Sequence, residues 1–142
     1  MNSEQIPLYR FWQPIYWLLW LGVALLRVIV WLPQTARMTV GRSFGRLMYR
    51  LISSRSAVVL RNLELCFPEL SLAEQKKLAV QHFESLGMGI IEYGMAWWCS
   101  DAELNQLIEV DGVEHIHDAL EKGKGVLLLS GHFSVQELST RV

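Results

Sequence analysis

The 142-residue chain has only two cysteines, Cys66 and Cys99, far apart and without C-x-x-C spacing. That usage suggests neither a disulfide framework nor a zinc site, and the thiols read as buried or idle groups in a reducing compartment. Ser130 and Ser134 lack the G-x-S-x-G context of a nucleophile elbow, and G-K-G-V from Gly123 lacks the phosphate-loop pattern. There is no internal repeat or low-complexity tract, and no nucleic-acid partner is expected. Acid is also missing where it would be noticed. Residues 5–63 carry eight Arg and no Asp or Glu, while residues 64–142 carry five Lys or Arg against thirteen acids. A net charge of -1 therefore hides +8 beside -8. Such asymmetry places one half near anionic phosphates and the other toward solvent or a different partner.

What the chain does have is apolar surface, 51% of residues with six Trp among them. Residues 15–32 read I-Y-W-L-L-W-L-G-V-A-L-L-R-V-I-V-W-L, interrupted only by Arg27 and bracketed by Pro14 and Pro33. A hydrocarbon core needs about 20 apolar residues in a helix, and Phe11 and Trp12 bring the stretch to that length. Trp12, Trp17, Trp20 and Trp31 lie toward its ends, and Arg27 is close enough to the end to snorkel. More basic residues follow than precede it. The expectation is a single membrane-spanning anchor in residues 1–34, with residues 35–142 cytoplasmic. The alternatives are a cleaved signal peptide, for which T-A-R after Pro33 is a poor site, and an interfacial helix lying flat. Arg42, Arg46 and Arg50 share one helix face, which would meet phosphates of the membrane or of a lipid substrate, or serve only as a topogenic signal. Gly41 and Gly45 form a G-x-x-x-G outside the apolar run, where it says little about helix packing.

Beyond Pro68 the periodicity is helical. Ser71 and Glu74 form a capping box, and Leu78, Phe83, Leu86, Ile90, Ile91, Trp97 and Trp98 predict one long helix over 72–98. Ser100 and Glu103 repeat the box for a short helix. L-I-E-V at 107–110 reads as a strand, residues 113–122 as a helix, and V-L-L-L-S at 126–130 as a buried strand after the turn G-K-G. That is a β-α-β unit, and the expected fold class is α/β: an anchoring helix, further helices, then the start of a parallel sheet. Two strands leave a sheet uncovered, so the chain is expected to be the amino-terminal part of a longer protein.

The end of a strand running into a helix is where open α/β sheets place ligands. His132 follows Gly131 there, with Glu137 five residues on. Five residues rotate about 140° on a helix, so the two meet only if His132 lies in the turn and Glu137 on the first turns behind it. Glu137 would then fix the tautomer of His132 while the other nitrogen takes a proton from an alcohol attacking a thioester, and backbone donors near Gly131 would hold the oxyanion. By spacing alone H-x-x-x-x-E is equally a satisfied structural His. His115 and His117 diverge by about 200° on a helix, which suits a solvated face better than a metal. His82 belongs to the long amphipathic helix.

R-N-L-E-L-C-F-P-E-L-S at 61–71, H-F-E-S-L-G-M-G-I-I-E-Y-G-M-A-W-W at 82–98, V-D-G-V-E-H-I at 110–116 and G-V-L-L-L-S-G-H-F-S-V-Q-E-L at 125–138 resemble, in that order, the late acyltransferases of lipid A biosynthesis, the lauroyl/myristoyl family. The resemblance implies transfer of a fatty acyl chain from acyl carrier protein to a hydroxyl of the lipid A precursor at the inner membrane, without metal or cofactor. It implies His132 as general base and Glu137 as its partner; Arg141 falls where the family often has an Arg and joins Arg42, Arg46 and Arg50 as a candidate substrate-binding residue. A glycerophospholipid acyltransferase with a similar His-acid pair, and an inactive membrane-anchored fragment, are the alternatives. Family members run to about twice this length, and the further half would complete the sheet and the substrate site.

Overall fold

A computed structural model of the chain describes residues 11–123 and, beyond them, 125–127, 129, 131, 138 and 141. After a 3-10 turn at Pro14–Tyr16 come α1 (Trp17–Val30), α2 (Gln34–Leu51), α3 (Ser53–Cys66), α4 (Leu72–Trp98), α5 (Asp101–Leu104) and α6 (Val113–Glu121).

The long central helix α4 has the bounds its periodicity predicts. Ser71 accepts from the Glu74 backbone N–H, and the Glu74 carboxylate accepts from the Ser71 N–H at 2.8 Å, a complete capping box. The Ser71 hydroxyl also donates to that carboxylate at 2.6 Å, and it and the Ser71 N–H hold the Glu74 carboxyl below its usual range. Ser100 likewise accepts from Glu103 N to open α5. Gly123 and Gly125 take positive φ, 67° and 73°, which glycine tolerates, while Lys124 between them in the expected G-K-G turn lies outside the described residues.

The most extensive helix contact in the fold is α2 on α4. Gly41 and Gly45 face Gly87, and a Cβ added at Gly45 would overlap the Phe83 carbonyl, while one added at Gly87 would lie 2.9 Å from Gly45 Cα. The G-x-x-x-G is therefore a close backbone crossing, of the small-residue kind that lets two helices approach. Its apolar flanks settle beside it: Tyr49 meets Phe83 edge-on at 5.5 Å. Around the far end of α4 lies the core of Val30, Ile91, Met95, Ala96, Cys99, Leu104 and Leu138.

Two expectations are corrected. The first concerns the membrane. Residues 15–32 are not one span, because the helical segment α1 has 14 residues and Pro33 starts a new helix. At 1.5 Å per residue α1 is about 21 Å long against a hydrocarbon core of about 30 Å. Among the described residues no helix is long and apolar enough to cross a membrane, so the single amino-terminal transmembrane anchor and the inner-membrane topology built on it do not hold. One side of α1 packs back on α4 instead. Leu26 and Val30 lie against Gly94, and Arg27, expected to snorkel, stacks between the Trp31 and Trp98 rings at 5.4 and 5.3 Å from their centroids. The opposite side, including Leu18, Leu21, Leu25 and Trp31, stays exposed.

The second correction concerns the sheet. Among the described residues there is no strand, and the α/β core is replaced by packed helices. At 107–110 the reason is local: the N–H groups of Leu107 and Ile108 both turn back to the Leu104 carbonyl, at 2.9 and 3.0 Å, and so cannot enter a ladder. In the 126–130 run, where Leu128 and Ser130 lie outside the described residues, Leu127 and Leu129 are 93% and 97% exposed. Of the β-α-β unit only its helix, α6, is present among the described residues.

A buried guanidinium on α2 ties that helix to α5 by an ion pair and to the C-cap of α4 by a hydrogen bond. Arg37, 5% exposed, donates to the Glu103 carboxylate and, at 3.4 Å, to Cys99 Sγ. Burial alone would lower the Arg37 pKa, but the hydrogen bonds to Glu103 and Cys99 together with their charges outweigh it, and the guanidinium stays charged. The same bond holds the Glu103 carboxyl below its usual range.

Two measurements follow from this packing. Gly45→Ala should destabilise the fold by about 1–3 kcal/mol in urea unfolding, because the helices must separate. Gly22→Ala, where an added Cβ meets nothing within 4 Å, should be neutral or stabilising by up to about 1 kcal/mol from helix propensity. Equal effects at the two sites would refute the crossing. Because Glu103 binds protons less readily folded than unfolded, its stabilisation is present above the ordinary Glu pKa near 4.3 and is lost as pH falls through the depressed value. Glu103→Gln should thus cost about 1 kcal/mol at neutral pH, kept small by a carboxylate 41% exposed, and the gap to wild type should close in acid. A gap that stays constant with pH would count against the pair.

Candidate active site

His132 and Glu137, the expected base and its partner, lie outside the described residues. Their neighbours in sequence do not. Gly131 is exposed, whereas Leu138, next to Glu137, is 8% exposed and belongs to the core with Met95, Cys99 and Leu104.

Arg141 has a definite place. Its Nη1 donates to the Ala96 carbonyl, and its Nη2 donates to the Cys99 carbonyl and the Asp101 carboxylate, each at 3.0 Å. Its backbone N–H donates to the Leu138 carbonyl at 3.1 Å, closing a turn. The last carbonyls of a helix have no N–H partner within the helix and carry the negative end of its dipole, which is why a cation settles there.

The three other arginines are not gathered around this place. Arg46 pairs with Glu84 of α4, and Arg42 and Arg50 are exposed, without an ion-pair partner among the described residues. The shared helix face expected for Arg42, Arg46 and Arg50 thus includes one arginine joined to the central helix and two left open to anions. His115 and His117 are exposed on α6, and His82 is exposed on α4 beside Phe83.

Two further groups lie near Leu138: Cys99, read from sequence as a buried or idle thiol, and Glu92, which sequence reasoning did not single out. Cys99 is buried beside Arg37, and burial pushes its thiol pKa up against the opposing bond from Arg37, so it is a poor nucleophile at neutral pH. Glu92 lines a cleft of about 350 Å3 with Gln34, Met95, Leu104, Ile108 and Leu138. Burial pushes the Glu92 carboxyl up, and Gln34 Oε1 is buried with no hydrogen-bond partner among the described residues. The sequence signal was present in I-I-E-Y-G-M, one acid inside an apolar helical run.

Comparison with known proteins covers nearly the whole chain. Residues 7–142 match the family model of the bacterial lipid A biosynthesis acyltransferases. The chain is 44% identical over 128 residues to the lipid A biosynthesis lauroyltransferase of Escherichia coli K12, covering 90% of this chain and 42% of that protein. It is 37% identical over 146 residues to a lipid A biosynthesis acyltransferase of Haemophilus influenzae, covering 100% and 46%. It is 35% identical over 133 residues to the palmitoleoyltransferase of Escherichia coli K12, covering 94% and 44%. The chain therefore spans less than half the length of these curated relatives. No solved structure matches it. With the matched region running from before α1 through Arg141, the chain belongs to the bacterial lipid A biosynthesis acyltransferase family.

Proposed function

We propose that the protein transfers a fatty acyl chain from acyl carrier protein to a hydroxyl of the lipid A precursor, with His132 as general base and Glu137 as its partner. The observation that carries this is the family match, which contains the H-x-x-x-x-E of residues 132–137 within residues 7–142. The acceptor oxygen attacks the thioester carbonyl carbon as His132 takes the hydroxyl proton. The tetrahedral intermediate then collapses, the C–S bond breaks, and the imidazolium returns the proton to the departing thiolate. An ester and a free carrier thiol remain. The need for a base is chemical: an alcohol is far too weak an acid to ionise near neutral pH, whereas an imidazole with pKa near 6.5 is poised to accept. Glu137 would stabilise the imidazolium as it forms.

The acceptor is a lipid, and the exposed side of α1 supports a seat on a bilayer surface without crossing it. Leu18, Leu21 and Leu25 stand in solvent there, and Trp12, Trp17 and Trp20 cluster at one end, 72%, 63% and 40% exposed. Indoles favour the headgroup level, and an amphipathic helix with apolar residues on its free face lies in the interface plane. Arg42 and Arg50 are then available to anionic phosphates.

The test is an acyl-transfer assay on the gene product that contains residues 1–142, with acyl carrier protein as donor and lipid A precursor as acceptor. His132→Ala should reduce transfer by about 10²- to 10⁴-fold, and full activity would remove His132 as the base. Lysophospholipid offered in the same assay should not compete as acceptor. Preferential acylation of it would assign the protein to glycerophospholipid chemistry instead.

A further inference from the structure

Arg141 spends its guanidinium on the protein itself. Three of its donor contacts go to the junction of α4 and α5: the Ala96 and Cys99 carbonyls and the Asp101 carboxylate. The side chain is 32% exposed and its charge is compensated by Asp101 and by the helix end. A substrate phosphate or carbonyl competing for those three donors would have to displace charge-assisted bonds that are already made, and such bonds are about twice as strong as neutral ones.

The backbone adds the second half of the fastening. The Arg141 N–H closes a turn on the Leu138 carbonyl, and the Leu138 side chain is sunk among Met95, Ala96, Cys99 and Leu104. Residues 138 and 141 are thus pinned to one place by two unlike interactions, an apolar plug and a forked cation. Arg37 grips the same junction from α2, through Cys99 Sγ and Glu103. Two guanidiniums therefore meet residues 96–103, one from the amino-terminal helices and one from the segment that begins at Gly131. Glu137 is bonded directly to Leu138.

We infer that Arg141 is a positioning residue for the His132 and Glu137 pair, acting through Leu138 and the end of α4 rather than by touching substrate; this rests on the proposed catalytic role of that pair. The fork and the Leu138 side chain hold residues 138 and 141 against the junction of α4 and α5, next in sequence to Glu137. Loss of the fork leaves that attachment to Leu138 alone, and small misplacements of catalytic groups are costly, about 10²-fold for a shift near 1 Å.

The experiment pairs kinetics with amide hydrogen exchange on the gene product containing residues 1–142, comparing wild type, Arg141→Gln and Arg141→Lys. In Arg141→Gln, exchange across residues 131–142 should rise about tenfold or more while α2 and the middle of α4 keep wild-type rates. The kcat should fall by about 10²-fold, with KM for the lipid acceptor within about twofold. Arg141→Lys should recover part of kcat, because an ammonium reaches a carbonyl but cannot fork. A raised acceptor KM with kcat retained would make Arg141 a substrate contact and overturn the proposal, as would unchanged exchange across residues 131–142. Where Arg141→Gln loses the whole fold, α2 exchange rises with it, and Arg141→Lys and Asp101→Asn decide by the same criteria. If His132→Ala proves fully active, the catalytic pair falls and the positioning role with it, while the exchange result still reports separately whether Arg141 clamps the segment.

Discussion

At the crossing of α2 and α4, Gly41 and Gly45 bring one helix backbone against the other at Gly87, with no side chain between them. Everything described at the far end of α4 depends on that approach. With α2 held this close, Arg37 reaches under Cys99 and pairs with Glu103, although a buried guanidinium without its carboxylate would be strongly unfavourable. With the end of α4 fixed from one side, its free carbonyls are presented to Arg141 from the other. The helix α1 completes the arrangement through Val30 and the stacking of Arg27 on Trp31 and Trp98.

How much of this was legible in the sequence differs by element. The long helix was readable because its signals are local: a capping box at Ser71 and an apolar rhythm continuing to Trp98. The short helix after Ser100 was readable for the same reason. The strand at 107–110 was misread because its apolar run looks the same whether it pairs with a neighbour or folds back on α5, and the N–H groups of Leu107 and Ile108 take the second course. The membrane span was misread because hydropathy counts residues and does not register that Ile15 and Tyr16 fall in a 3-10 turn and that α1 ends at Val30, leaving 14 residues of α-helix.

The glycines and arginines show a different limit. Gly41 and Gly45 were visible as a motif, but their partner Gly87 is 42 residues beyond Gly45, and no local pattern joins them. Arg37 was counted among basic residues following an apolar stretch, yet it is the buried one, while Arg42 and Arg50 remain exposed. At the candidate site, the ordered family segments were legible at the level of recognition, and the family comparison bears the recognition out. What sequence could not supply was the use of Arg141, because its acceptors are backbone carbonyls, which every residue has.

The helix crossing can be tested without reference to activity. In an isotope-labelled sample, a nuclear Overhauser cross-peak between the α-protons of Gly45 and Gly87 reports the approach directly, since a Cβ on Gly87 would stand 2.9 Å from Gly45 Cα. A strong cross-peak is the expected result. Its absence, with α2 and α4 both helical by their chemical shifts, would show that the backbones do not meet and that the junction gripped by Arg37 and Arg141 is held by some other contact.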